Sequence, residues 1–529
     1  LTKRAKDEFL VKSKILDLKN PKLKSCKYIS GLYRDFTGKI SKFPIRDYQI
    51  RGILMMCMIK RMVLGDETGL GKTAQAIYTY CYLLEENPDL KLLWVGPKTT
   101  LPEKMDEFKV MTKGIKAVLY HGSLKKRKDI WRGFKSSKTN VMVTTYGTMR
   151  RDYAKIAHAL GDSYMIMFDE ATDFKNPGAA THKNAKFLAN RAERVYGISA
   201  TIIMNRLDEA YGIYSVIYPE LFDSRKDFET MYHRFRYETS TTGFKRKVVT
   251  GYRNLPDFRD RIAGYFIGRR PEDVGEQLPE ITPKEYTITL SRQEMSIYRE
   301  KVIEAILHAR EVNAPKGAVV HLSLRLALCS GIHEDYEEAW EAAGTRSAKE
   351  EAIIDLLKTE FAAEKVIIYA VSKKWINRFQ KILKKEGIDS VKVTGDENQK
   401  QRQENIAEFN QQDHCKVCLI TDAGNKGINL QIARIMIFAQ LPWSYGNLKQ
   451  ILGRYRRLGT THQALLAIFM VASKTNDRRV MAALKSKKQL FKEILKDSLE
   501  TLDSDNRDLS DLYNGLEKDM GLEEDNGSD

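Results

Sequence analysis

The sequence predicts an α/β protein with two tandem parallel-sheet lobes and helical insertions between them. Three observations predict it. Short apolar runs at Leu92–Val95, Val141–Thr145 and Tyr164–Phe168 alternate with helix-like stretches, the pattern of parallel strands joined by crossover helices. The alternation stops over about 205–346, a stretch rich in aromatic and charged residues with helical spacing at Glu294–Val312. It resumes at Val366–Tyr369, Lys416–Thr421, Ile435–Phe438 and Leu465–Met470. The chain therefore divides into a basic N-terminal segment (1–43), a first lobe (44–204), a helical protrusion and linker (205–346), a second lobe (347–496) and an acidic tail (497–529). No internal repeat of ~20–50 residues is present.

A chain of 529 residues, 42% of them hydrophobic, is long enough for several cores. The apolar run Ile53–Ile59 falls far short of the ~20 residues needed to span a bilayer, so no membrane association is expected. No charged-then-apolar leader opens the sequence, so no secretory signal is expected. It opens on Leu1, as a fragment would. Six cysteines are too few for a disulfide scaffold and suit a reducing compartment. Cys415 and Cys418 form a CxxC without a second pair at metal spacing. Cys418 lies in the apolar run Val417–Ile420, which reads as a buried strand, so the pair is taken as structural.

The net charge of +18 is unevenly spread. The segment from Asp497 onward holds twelve acidic and two basic residues, a net −10, which leaves +28 for the rest. Such a body suits a polyanionic partner, and equally a solvated lysine-rich surface; charge alone does not decide. The tail reads as disordered and solubilising, or as a nucleic-acid mimic for the basic body.

The sharpest local signal is Gly65-Asp-Glu-Thr-Gly-Leu-Gly-Lys-Thr73, between the apolar run Met62–Leu64 and a helix-like stretch from Ala74. A glycine-rich strand-to-helix turn aims backbone N–H groups at phosphate oxygens, and the helix N-terminus favours negative charge. Gly69 and Gly71 give the turn its freedom. Lys72 can reach the β- and γ-phosphates and Thr73 can bind Mg²⁺. The strict motif wants glycine where this chain has Asp66. A glycine turn capping a structural helix would look similar.

A second signal removes that ambiguity. Tyr164–Phe168 ends in Asp169-Glu-Ala-Thr172. Carboxylates at the C-terminal end of such a strand sit beside the phosphate loop of an open α/β sheet. Asp169 can hold Mg²⁺ through water, and Glu170 can orient and deprotonate an attacking water.

These blocks and those that follow resemble superfamily-two helicases, and among them the SWI/SNF-type ATPases that translocate on duplex DNA. The resemblance runs from about Pro44 to Leu490. Pro44-Ile-Arg-Asp-Tyr-Gln49 resembles a block whose glutamine reads adenine, and Asp66-Glu-Thr-Gly-Leu-Gly-Lys-Thr73 resembles the family's DEMGLGKT, which carries the same aspartate. Trp94-Val-Gly-Pro97, Tyr120-His-Gly122 and Thr144-Thr-Tyr146 match further first-lobe blocks. Asp169-Glu-Ala-Thr-Asp-Phe-Lys-Asn176 resembles DEAHxxKN. Ser199-Ala-Thr201 with Asn205 and Glu209 resembles the coupling block, and Tyr265-Phe-Ile-Gly-Arg-Arg270 with Leu278-Pro279 resembles FxxRRxKxDVxxxLP. In the second lobe the matching blocks are Ser347-Ala-Lys349, Lys365–Tyr369, Thr394-Gly395 with Arg402 and Phe409-Asn410, Thr421–Gln431, and Gln450–Gly459. Thr172 replaces the DEAH histidine, Asn425 a glycine and Thr460 a glutamine.

The resemblance implies two RecA-like lobes that hydrolyse ATP in the cleft between them. It implies ATP and Mg²⁺ as nucleotide and metal: Gln49, Gly69, Gly71, Lys72 and Thr73 hold ATP, Thr73 and Asp169 serve the metal, and Lys72, Glu170, Arg454 and Arg457 are catalytic. The two arginines, three apart, would share one helix face. It implies a DNA track touched by Lys98, Thr145, Lys426 and Asn429, with Trp443 beside them. The expected function is an ATP-dependent translocase on double-stranded or branched DNA that remodels forks and junctions or displaces bound protein. The alternatives are a strand-separating helicase and an RNA-polymerase-associated regulatory ATPase. A monomeric motor is expected. The lean chain suggests the cytoplasm of a bacterial or virus-infected cell, or a nucleus if the source is eukaryotic.

Overall fold

The structure, a computed structural model, describes residues 26–34, 39–136, 139–200, 202–203, 207–239, 245–274, 279–311, 346–422, 428–442, 445–456, 460, 462–482 and 484–485. The expectations for residues 1–25 and for the acidic tail lie outside them. The chain divides into two compact units between Leu278 and Pro279.

In the first unit a ribbon of β1 (Leu32–Arg34) and β2 (Ile40–Lys42) precedes α1 (Asp47–Met58). Strands and helices then alternate: β3 (Arg61–Leu64), α2 (Lys72–Glu86), β4 (Lys91–Gly96), α3 (Leu101–Met111), β5 (Ala117–Tyr120), α4 (Leu124–Ser136), β6 (Val141–Thr145), α5 (Tyr146–Leu160), β7 (Tyr164–Asp169), α6 (Ala180–Ala189) and β8 (Arg194–Ile198). The unit closes with α7 (Asp208–Ile217), α8 (Arg225–Tyr232), an antiparallel hairpin of β9 (His233–Thr239) and β10 (Lys245–Tyr252), α9 (Leu255–Ile262) and β11 (Phe266–Ile267). Its seven-stranded sheet has the order β11-β3-β8-β7-β4-β6-β5. Every pairing is parallel. All strand C-termini therefore meet at one edge, and the loops that follow β3, β4 and β7 gather there.

The second unit contains β12 (Glu280–Ile288), α10 (Arg292–Glu311), α11 (Ala348–Lys358), β13 (Val366–Tyr369), α12 (Lys373–Lys385), β14 (Ser390–Val393), α13 (Gln399–Gln411), β15 (Val417–Ile420), β16 (Ile435–Phe438), α14 (Tyr445–Leu452) and β17 (Ala464–Ala472). Its sheet order is β12-β17-β16-β13-β15-β14, again all parallel.

The continuous apolar runs follow from burial on both faces, which parallel sheets require. In the second unit successive residues alternate between two cores. Ile367, Tyr369, Cys418, Ile420, Met436 and Phe438 enter one, while Val366, Ile368, Val417, Leu419, Ile435 and Ile437 enter the other. A fully buried aliphatic side chain of this kind contributes about 1.5–3 kcal/mol, offset by chain entropy. Helix α2 is apolar around most of its girth, so it sits inside the first unit; Ile77, Tyr80, Cys81 and Leu84 are all sealed from solvent. Helix α12 shows the contrasting one-sided pattern. Trp375, Ile376, Phe379 and Leu383 pack inward, and the Ser372 hydroxyl accepts the Trp375 N–H at its start. Cys415 and Cys418 are buried free thiols, and burial pushes both upward, Cys415 to about 11. No metal-binding group of His, Cys, Asp or Glu occurs among the described residues.

The structure differs from expectation in segment 205–346. The segment contributes helices, but also the β9–β10 hairpin, β11 in the first sheet and β12 in the second. The reason is visible in β12. It is an edge strand with charged residues and Pro283, which an edge tolerates because no N–H is needed there. It therefore lacks the apolar run by which central strands are recognised. No helix among the described residues is long and apolar enough to cross a membrane.

Candidate nucleotide site and nucleic-acid surface

The loop after β3 is held from three directions. Below it, the Tyr48 hydroxyl and the Gln49 Nε2 each donate to the Leu70 carbonyl at 3.2 Å. From the side, Gly65 N–H donates to the Ile267 carbonyl and Glu67 N–H to the Arg269 carbonyl. From within, the buried Asp66 carboxylate accepts from Arg269 Nε at 2.8 Å, from Arg269 Nη2 at 2.6 Å and from Gln75 Nε2 at 3.0 Å. Asp66, the residue that breaks the strict glycine pattern, is thus the loop's anchor to a segment 203 residues away.

At the end of the loop Gly71 has φ +72° and begins α2. A Cβ there would be strained and would lie 2.4 Å from Gln49 Nε2. Gln49 was expected to read adenine. In this structure its amide is engaged at both ends, donating to Leu70 and accepting from the Arg46 N–H at 3.0 Å. It props the loop after β3. Lys72 lies across the loop and donates to the carbonyls of Asp66 (2.7 Å) and Glu67 (3.1 Å). Gly69 is also left-handed, with φ +96°.

Asp169 and Glu170 follow β7 on the same sheet edge. The Tyr146 hydroxyl donates to the Asp169 carbonyl at 2.8 Å and fixes this corner. Glu170 has φ 55°, a left-handed backbone that costs a side-chain-bearing residue about 1–3 kcal/mol and marks functional positions. Burial pushes the Asp169 carboxyl up against the opposing pull of the Lys104 and Lys72 ammoniums. Thr73 and Asp169 offer hydroxyl and carboxylate oxygens, the hard donors that Mg²⁺ prefers, so the residues fit a metal-bound nucleotide. Thr172, in place of histidine, is buried in a short 3-10 turn, Ala171–Phe174. Lys175, four residues on from Ala171, pairs with Glu209 at 2.5 Å and ties the carboxylate block to α7. Gly212 makes that approach possible: a Cβ there would lie 1.8 Å from the Lys175 carbonyl oxygen.

Sequence reasoning missed Lys104. It is buried on α3 and donates to Thr73 Oγ1 and to Glu107 Oε2, each at 2.8 Å. Burial alone would push its pKa down, but the Glu107, Asp169 and Glu103 carboxylates outweigh burial and raise it. Glu107 moves upward too, chiefly through burial. One cation is shared among three carboxylates.

The candidate track residues fare differently. Lys98 is exposed in the turn between β4 and α3. Burial, then the positive charges of Lys98, Arg151, Arg127 and Lys126, holds His121 below its ordinary value. Lys98, Lys126 and Arg151 thus form an exposed basic surface around His121. Arg127 belongs to the same field but is buried against Asp152 at 2.6 Å. Thr145 is buried, and its hydroxyl caps α5 by accepting the Thr148 N–H at 3.0 Å.

In the second unit the Asp422 carboxylate accepts from the Tyr369 hydroxyl (2.5 Å) and from Asn447 Nδ2 (2.6 Å). The Asn429 carbonyl accepts from Asn410 Nδ2 at 3.1 Å. Of the two arginines expected to share a helix face, only Arg454 lies among the described residues. Helix α14 ends at Leu452, before Gly453, and Arg454 lies in the following turn with its side chain buried. Its carbonyl accepts the Leu430 N–H at 3.0 Å. Arg457, Lys426 and Trp443 lie outside the described residues, as do Thr201 and Asn205.

Comparison with known proteins decides the family. The SNF2-related domain matches residues 48–333, and the helicase conserved C-terminal domain matches residues 348–459. The chain belongs to the SNF2 family. Its two parallel-sheet units are the paired RecA-like lobes of that family, as the sequence predicted. Among curated SNF2 relatives, an uncharacterized ATP-dependent helicase of Mycoplasma genitalium is 23% identical, covering 85% of this chain and 42% of that protein. A SWI/SNF chromatin-remodeling complex subunit of Schizosaccharomyces pombe is also 23% identical, covering 84% of this chain and 28% of its own length. A Drosophila melanogaster SWI/SNF-related subfamily A-like protein is 24% identical, covering 82% and 53%. The chain spans less than two thirds of the length of each. Among solved structures, the Sulfolobus solfataricus SWI2/SNF2 ATPase core in complex with dsDNA aligns over 86% of this chain and 93% of that one, with 21% identity and a TM-score of 0.40.

Proposed function

We propose that this SNF2 chain is an ATP-driven translocase on double-stranded DNA, acting on branched structures or on proteins bound to the duplex. One observation carries the reading: Lys72, Thr73, Asp169 and Glu170 come together on one sheet edge around a loop built for phosphate. Phosphoryl transfer asks mainly for positioning and charge. Loop N–H groups and Lys72 hold the β- and γ-phosphates. Thr73 and Asp169 would hold Mg²⁺, which neutralises charge on the phosphate oxygens. Glu170 orients a water for in-line attack and accepts its proton. Arg454 and Arg457 are the proposed source of further transition-state charge. The sparse cysteines suit a reducing cellular compartment.

The basic surface of Lys98, Lys126 and Arg151 supplies backbone contacts, which carry no sequence information. Binding should therefore fall steeply with salt and depend little on sequence. ATP hydrolysis should rise when duplex DNA is added. Replacing Lys98, Lys126 and Arg151 with alanine should weaken duplex affinity uniformly across sequences and flatten the log–log salt dependence by about 3. Hydrolysis that responds to RNA alone would overturn the proposal.

A further inference from the structure

The Lys104 cluster is unexplained by phosphate binding. We infer that Lys104 is a resident cation that holds the metal-facing hydroxyl of Thr73 until a divalent ion replaces it, and so sets how much metal the site requires. The inference rests on reading the site as one for a metal-bound nucleotide.

Lysine is seldom buried, and a lysine–glutamate pair three apart on a helix is ordinarily left in solvent. Here the side chain turns inward. Its ammonium bonds Thr73 Oγ1 and Glu107 Oε2 at 2.8 Å each and stands 5.9 Å from the centre of the Trp94 ring. The chain path explains the reach. Helix α3 begins just after β4, whose last residue abuts the carboxylate corner: a Cβ on Gly96 would lie 3.3 Å from the Asp169 Cβ. Lys104 thus stands where hydroxyl and carboxylate converge, the donors assigned above to the metal. An ammonium and a divalent ion drawn to one hydroxyl oxygen repel each other, and burial leaves that repulsion poorly screened. Binding of the ion must displace Lys104 from Thr73. The flexible four-carbon stem allows the movement, and Glu107 can keep the ammonium paired as it withdraws.

The test is a Mg²⁺ titration of binding of a fluorescent ADP analogue, in wild type, Lys104→Met and Lys104→Met/Glu107→Gln. The double variant removes the carboxylate that the single one strands, and so guards against misfolding. Both variants should reach half-maximal binding at about tenfold less Mg²⁺, a shift within the usual range for coupled ligands. Both should also take up Mn²⁺ without nucleotide at concentrations where wild type does not, read from the loss of the free-ion paramagnetic resonance signal. An unchanged Mg²⁺ midpoint would reduce Lys104 to a structural role. Weaker binding with and without metal would make it a phosphate ligand instead. Either result overturns this inference while leaving the nucleotide site standing. Failure of wild type to bind the analogue at all would remove both.

Discussion

Glu170→Gln should lower ATP turnover by about a hundred- to ten-thousandfold, the range lost when a positioned general base is removed. Nucleotide binding should survive. Glutamine keeps the length and backbone preference of glutamate, so the left-handed corner after β7 is undisturbed. The contacts proposed to hold phosphate come from elsewhere, from the loop after β3 and from Lys72, which lies across that loop. Lys72→Ala gives the contrast, because it removes a group that meets phosphate in both ground and transition states; turnover and nucleotide affinity should fall together. Single-turnover hydrolysis alongside equilibrium binding of a fluorescent nucleotide separates the two. Loss of binding in Glu170→Gln would mean that Glu170 supports the fold of the corner rather than the chemistry.

The second large effect lies at Asp66. Arg269→Ala takes the counter-charge from a carboxylate that is fully buried and leaves it two neutral donors, the backbone N–H of residue 269 at 3.2 Å and Gln75 Nε2 at 3.0 Å. Breaking such a pair from one side costs about 3–5 kcal/mol, because the remaining buried charge has no opposite charge beside it. The damage should also reach nucleotide affinity, since Arg269 joins the loop to Tyr48 and Gln75 as well as to Asp66. The paired change Asp66→Asn/Arg269→Met leaves no uncompensated charge and should be milder than Arg269→Ala alone. Thermal unfolding followed by a probe in the first lobe, with nucleotide affinity measured on the same variants, checks this ordering. If the double variant is the least stable, the pair is not the anchor described above.

That pair also shows where sequence reading stops. The phosphate loop and the Asp169-Glu170 corner were legible because each is a local pattern: glycines at a strand-to-helix turn, and acids at the end of a buried apolar strand. The strands Val366–Tyr369 and Ile435–Phe438 were legible for the same reason, being sealed on both faces. Asp66 with Arg269 was not, because its meaning lies in a contact across 203 residues. Lys104 was not, because a lysine followed three residues later by a glutamate reads as a solvated helix face until α3 is seen turned against Thr73. The β9–β10 hairpin escaped because its strands are rich in charged and polar residues and lack a continuous apolar run. The turn at Arg454 escaped because Gly453 ends a helix that spacing alone would have continued.

Hydrolysis at this site is proposed to drive movement along paired DNA. Displacement of a third strand from a DNA triplex tests it most directly, because movement of the motor along the duplex ejects that strand without any base pair being opened. Wild type should release the third strand in an ATP-dependent way, Glu170→Gln should release none, and the duplex itself should stay paired. DNA-stimulated hydrolysis with the third strand left in place would contradict the proposal.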